Sequence, residues 1–433
     1  MKFEEIQLTT DAAGHCLNST QCFSSDDQWI VFDGRNDDTK IASTPTISIV
    51  NTISGEIRQV YQTSNQTGYG PGVGAATFSP AANRVLFIHG IRNASAEYPY
   101  SMTRRTGVAV GIDVPQTPVF MDARNILFPF TNGALRGGTH AHTWTGDGQW
   151  ISFTYNDYLL EQAGKTNDTI KDLRTIGIMI PGKVIVPANG FENNNGEMFS
   201  LLVATVTATP VKGSNEIEKA FDETWIGSNG YRKPDGCWQR RAIAYQGNLR
   251  DENGNLKTEI FVVDIPDDIL RDAESMVYHA TPELPLPIPP GLVHQRISYT
   301  EKGVSDSPRH WLRSDPDGSL IAFLSEDEKG FVQLFCISPN GGEPEQLTRF
   351  TFSIQGPFNF SPDGRFIAYV ADNSVFLTDI FTLQSSRITE RSGDESKPVG
   401  AVNWSYDGAM LCYNRYVEVN GERYLQIFLL KRK

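Results

Sequence analysis

Phe360-Ser361-Pro362-Asp363-Gly364 stands directly before the apolar run Phe366-Ile367-Ala368-Tyr369, and this stretch decides the fold. Asp-Gly between two β-prone runs marks a tight hairpin, because glycine tolerates the positive φ that such turns require. The same order of aromatic, small residue, turn and apolar run recurs along the chain. It reads Trp404-Ser405-Tyr406-Asp407-Gly408 before Met410-Leu411-Cys412-Tyr413, and Asp315-Pro316-Asp317-Gly318 before Leu320-Ile321-Ala322-Phe323. Upstream it reads Trp144-Thr145-Gly146-Asp147-Gly148 before Trp150-Ile151-Ser152-Phe153, and Phe78-Ser79-Pro80 before Val85-Leu86-Phe87-Ile88. The first copy is Phe23-Ser24-Ser25-Asp26-Asp27 before Trp29-Ile30-Val31-Phe32. Third and fourth strands follow several copies, as in Val332-Gln333-Leu334-Phe335 and then Gln346-Leu347-Thr348. Four antiparallel strands per repeat make a propeller blade.

Six copies are explicit, and a seventh is degraded. For that fourth blade, residues 198–204 read as the inner strand, 241–245 as the second and 261–264 as the third. Residues 215–225 read as a helix, with Asn215 and Glu218 spaced as a capping box. The N-terminal run Ile6-Gln7-Leu8-Thr9 ends like the outer strands of other blades, and the last repeat stops after its third strand. The prediction is an all-β, seven-bladed β-propeller with four-stranded antiparallel blades, its ring closed by the N-terminal strand. The whole of 1–433 forms one domain, with blades at roughly 10–62, 68–130, 136–190, 196–300, 305–349, 352–390 and 398–433 plus 3–9.

The 433 residues are 39% hydrophobic and 21% charged, enough apolar surface for packed blades, and 38 glycines and 24 prolines punctuate short runs. A formal net charge of -13 with no basic run argues against nucleic acid. No stretch is long and apolar enough to span a bilayer, so no membrane is expected. Five scattered cysteines without a C-x-x-C pair, and an N-terminus without a leader-like apolar core, predict reduced thiols and a cytoplasmic location.

Strand direction sorts the histidines. The inner strand of each blade begins on the rim where the second strand ends. His140, His142, His310, His89 and His15 all fall on that rim; His279 and His294 do not. Two-residue alternation would put His140 and His142 on one face, where neutral imidazoles can share a metal. His310, Gln355 and Asp157 are further candidate ligands or supporting groups. Arg104, Arg105, Arg136 and Arg309 can pair with substrate carboxylates through the guanidinium fork, with His15 and Asp157 beside them. His89, His310 and Tyr155 are candidate proton acceptors, and Arg309 joins them as a candidate catalytic group. No nucleophile elbow or phosphate loop is present.

The Phe-Ser-Pro-Asp-Gly repeat resembles that of TolB-like, or WD40-like, propellers. Phe87-Ile88-His89-Gly90, the run from Arg136 to His142, the run from Ser152 to Asp157, Pro308-Arg309-His310-Trp311 and Ile354-Gln355 are similar to a bacterial propeller family of unknown function, over nearly the whole chain. More distantly, His140 and His142 with His310 and Gln355 resemble the site of oligogalacturonate lyase. That enzyme is a seven-bladed propeller whose divalent metal is held by histidines and a glutamine, and it cleaves short uronate chains by β-elimination. The resemblance implies a divalent metal (manganese, zinc or calcium) held by His140, His142, His310 and Gln355, and an oligosaccharide ligand at the channel mouth. It departs at Gly137, where the lyase pattern carries glutamine. The expectation is a metal-assisted carbohydrate-active enzyme, a lyase of short uronate-containing oligosaccharides; the alternative expectation is a non-catalytic propeller that binds a protein partner or serves as a scaffold.

Overall fold

The computed structural model describes residues 2–275 and 280–433. Seven sheets surround a central axis, and six of them have four antiparallel strands. Blade two is Val73–Phe78, Arg84–Gly90, Arg105–Gly111 and Val119–Phe120, from the axis outward. Blade five runs from Arg313–Ser314 to Glu345–Gln346, and blade six from Asn359–Phe360 to Gln384–Arg387. Blade seven is Pro398–Trp404, Met410–Val419 and Glu422–Arg432, completed by Phe3–Gln7. Phe3 pairs with Arg432 and Gln7 with Phe428, so the N-terminal strand closes the ring. Closure of this kind leaves only short sheet edges.

Between blades the alternating apolar residues interdigitate. Val31, Ile47 and Ile49 of blade one pack on Phe78, Val85 and Phe87 of blade two. Ala368, Val370 and Leu377 of blade six pack on Leu411 and Tyr413 of blade seven. Each Asp-Gly turn is locked by its own side chains: Ser361 Nα and Oγ, for example, bracket the hairpin, with Phe366 N donating to Ser361 Oγ at 2.9 Å.

The degraded fourth blade departs from the sequence expectation. Residues 217–225 are not helical: Ile217–Trp225 is the inner strand, paired with Arg241–Arg250. Lysine and glutamate in this stretch favour a helix locally, but pairing with a ten-residue neighbouring strand overrides that preference. Residues 198–204 were expected as that inner strand; instead Gly196–Leu202 is the outer strand of blade three, paired with Thr175–Val184. Blade three therefore extends beyond 190. Trp225 is the aromatic of the missing motif, and a small hairpin, Tyr231–Arg232 with Trp238–Gln239, lengthens the turn that follows it. The second and third strands, Arg241–Arg250 and Leu256–Ile265, lie where expected.

Blade one is three-stranded, because its inner segment leaves the sheet and crosses the channel. Within residues 18–21, Gln21 O accepts from Phe78 N of blade two at 2.7 Å. The Gln21 amide makes two bonds to the Trp144 backbone of blade three, at 2.9 and 3.0 Å. Ser19 O accepts from Arg313 of blade five at 3.1 Å and from Asn359 of blade six at 2.9 Å. Asn18 O accepts from Asn403 of blade seven at 3.1 Å. A segment bonded to five other blades must lie across the axis. The partners sit toward the ends of the inner strands, so the segment crosses the channel on that side, and the rim where those strands begin is the mouth of the remaining cup.

Candidate functional site at the open rim

Four inner strands carry a bulge near this rim. Their register slips between Gly74 and Thr77, His140 and Thr143, Phe221 and Thr224, and Val399 and Asn403. The extra residue has positive φ in each, at Ala75, Ala141, Asp222 and Gly400. Such a bulge re-aims side chains. In blade three it defeats the expected alternation. His140 sits opposite Thr154, whose hydroxyl reaches Glu223 of blade four at 2.9 Å. His142 turns to the other face, with Nε2 3.0 Å from Thr139 Oγ1 and packed on Gly107 of blade two. The two imidazoles face different neighbouring blades.

His140 is buried, and neither ring nitrogen has a hydrogen-bond partner among the described residues. Burial holds its pKa well below the usual histidine range, and the positive charges of Arg105, Arg174 and Arg309, with His142, push the same way. Arg174 in turn feels both Arg105 and Arg309. The unpartnered neutral imidazole thus lies in the field of three guanidiniums, from blades two and three and the entry to blade five, with Asp222 and Asp172 countering at Arg174. Arg105 is held by Tyr100 Oη and Met102 Sδ, each at 2.7 Å, and its Nε has no partner among the described residues. Arg174 Nε donates to Asn156 Oδ1 at 3.1 Å. Arg309 is bidentate on Asp222. An orphaned buried imidazole in a field of cations is a setting for an anion that can accept hydrogen bonds.

The other sequence-chosen residues lie elsewhere or are engaged. His310 Nδ1 faces Pro308 O at 3.1 Å, and its Nε2 accepts from Leu324 N at 3.1 Å. His89 Nδ1 faces Gly90 O at 2.6 Å and its Nε2 meets Tyr61 Oη at 3.0 Å. Burial lowers both rings to about 4. His15 bonds Leu425 O and Asp11. Gln355 is closed on Asn373, donating to its Oδ1 and accepting from its N. Tyr155 is buried and accepts from Arg136 N at 3.2 Å. Arg136 is buried against Asp157, which also caps the helix Tyr158–Gly164. Arg104 is bonded to Glu192 and Asn93. His279 lies outside the described residues.

A divalent metal does not fit this set. Both ring nitrogens of His310 are bonded to backbone, the Gln355 amide is turned onto Asn373, and His140 and His142 point to different blades. The charges that act on His140 are cations, which oppose a metal ion. Among the described residues no three His, Cys, Asp or Glu side chains are grouped to hold one.

The residue that sequence reading passed over is Arg174. A signal was present: Arg105-Thr106 and Arg174-Thr175 are the same dipeptide at the start of the third strand of successive blades, Thr106 opposite His89 and Thr175 opposite Tyr155. Asp222 and Glu223 were hidden by the helical reading of their segment.

Among solved structures, the chain is similar to an oligogalacturonate lyase in complex with manganese, with a TM-score of 0.56 and 10% identity over 100% of this chain and 98% of that one. It is also similar to an oligogalacturonate lyase from Vibrio parahaemolyticus, with a TM-score of 0.50 and 9% identity over 100% and 97%. At these identities the likeness is one of fold. Residues 72–194 match a family described as "Protein of unknown function (DUF3748)". Uncharacterized protein YidR of Escherichia coli (strain K12) is 34% identical over 415 residues, 94% of each chain. An identity of that level over nearly both full lengths places this propeller in the family to which YidR belongs.

Proposed function

We propose that the protein captures a short carboxylate-bearing ligand, of the uronate oligosaccharide class, in the cup at the open rim. The observation that carries this reading is the buried imidazole of His140, whose two ring nitrogens lack partners among the described residues, in the field of Arg105, Arg174 and Arg309. Guanidiniums match carboxylates in shape and charge, and a neutral imidazole adds one donor and one acceptor for a sugar hydroxyl. The plug at residues 18–21 gives the cup a floor and so a single entrance. Oligogalacturonate lyase, alike in fold, supplies the first ligands to try.

Calorimetric titration with digalacturonate and trigalacturonate, against neutral galactose oligomers, tests the reading. Acidic oligomers should bind, weakening as salt is raised, and Arg105→Gln or Arg174→Gln should each cost about tenfold in affinity. Equal binding of acidic and neutral oligomers, or none of either, would overturn it. A second reading is catalytic turnover, because His140 retains free nitrogens to accept a proton. The same mixtures, followed by absorbance of an unsaturated uronate product, decide between capture and elimination.

A further inference from the structure

Beside the cup, blades three and four part into a cleft of about 470 Å³. Asn156, Lys171, Arg174, Glu218, Lys219 and Asn248 line it, together with Asp172. That volume falls in the range of small-molecule pockets. Its acids are already engaged. Glu218 is paired with both edges of Arg250, at 2.9 Å each. Asp172 accepts from Asn156 Nδ2 at 2.8 Å and from Asp157 N at 2.6 Å. Its cations are not so spent: Lys171 is exposed, and the Lys219 ammonium rests over the Phe221 ring, 3.9 Å from the centroid.

Arg174 belongs to both places. It lines the cleft, and its charge acts on His140 alongside Arg105 and Arg309. Asn156, which accepts from Arg174 Nε, lies on the strand paired with the one that carries His140, so the cleft borders that strand pair and a ligand anchored in the cup can continue outward over Arg174. We propose that the cleft is an outer subsite that takes the second acidic unit of a linear ligand, so that the protein selects ligands with at least two negative groups about one sugar ring apart. This rests on the reading of the cup as an anion site. The inner unit lies against Arg105, Arg309 and His140, Arg174 stands between the units, and Lys171 and Lys219 meet the outer carboxylate.

The test compares galacturonate with digalacturonate by calorimetry on the full chain. Digalacturonate should bind at least tenfold more tightly than the monomer. Lys171→Ala with Lys219→Ala should bring the dimer down to the monomer's affinity, while Lys171→Arg with Lys219→Arg keeps the advantage. A dimer no tighter than the monomer, or an advantage that survives loss of both lysines, overturns the outer subsite and leaves the cup reading intact. Failure of monomer and dimer alike to bind overturns both. Unfolding temperature of each variant separates lost binding from lost fold.

Discussion

Asp222 grips Arg309 at both edges of its guanidinium, Oδ2 accepting from Nε at 3.1 Å and Oδ1 from Nη2 at 2.6 Å. The carboxylate is 3% exposed and the arginine 57%, so the pair joins a buried bulge to the open rim. Asp222 thereby occupies the fork that would otherwise take a ligand carboxylate. It also offsets one of the three positive charges around His140.

Asp222→Asn isolates that charge. Asn tolerates positive φ better than other non-glycine residues, and φ is 49° here, so the bulge should persist. Removing the negative charge should tighten digalacturonate binding by about threefold to tenfold at low salt, with the gain fading near 0.5 M salt as screening shortens the field. Stability should fall by about 1 kcal/mol, because the Arg309 end of the pair is solvated and the asparagine amide can keep a hydrogen bond to it. Weaker ligand binding in Asp222→Asn would mean that the carboxylate chiefly positions Arg309.

Gln21 offers a separate test of the plug. Its amide donates to Trp144 O and accepts from Trp144 N across the channel. Gln21→Ala leaves both backbone groups without that partner in a buried setting, which should cost about 2–3 kcal/mol. Urea unfolding measures it. Gln21 lies at the floor, so the midpoint should drop with little change in ligand affinity. A loss below about 0.5 kcal/mol would show that water replaces the amide and that the plug does not tie blade one to blade three.

What sequence made legible was whatever repeats. The recurring turn before an apolar run, four times an Asp-Gly, gave six blades and the seventh by continuity, because each turn is a local structure set by its own residues. The closing strand was legible from its ending alone. What failed were features set by tertiary pairing. Residues 217–225 carry a helix-prone composition, yet Arg241–Arg250 enlists them as a strand. The inserted hairpin after Trp225 moved its motif out of register with the others. At the site, period-two alternation joined His140 to His142, and a single left-handed residue, Ala141 at φ 58°, parts them. A bulge has no composition of its own when its extra residue is alanine. The rim location of His140 and Arg105 was legible, since strand direction fixes it, but whether a rim histidine is free or bonded to backbone depends on the neighbouring blade.

Glu223 gives the molecule a pH dependence whose sign can be worked out. Its Oε2 accepts from Thr154 Oγ1, Oε1 has no partner among the described residues, and burial pushes the carboxyl up to about 7. An unfolded glutamate titrates near 4.3. Between those values the folded chain holds a proton that the unfolded chain has released, so stability declines as pH rises from about 4.5 through 7. Asp122, pushed to about 7 by the same cause, contributes in the same direction. Glu223→Gln keeps an acceptor for Thr154 and cannot ionise. It should be near wild type at pH 5 and more stable at pH 8, by on the order of 2 kcal/mol, with part of the slope retained through Asp122. Thermal unfolding at pH 5, 6, 7 and 8 reads the difference. Parallel curves for the two proteins would show that Glu223 ionises as freely when folded as when unfolded, and that its pocket at the interface of blades three and four is wet.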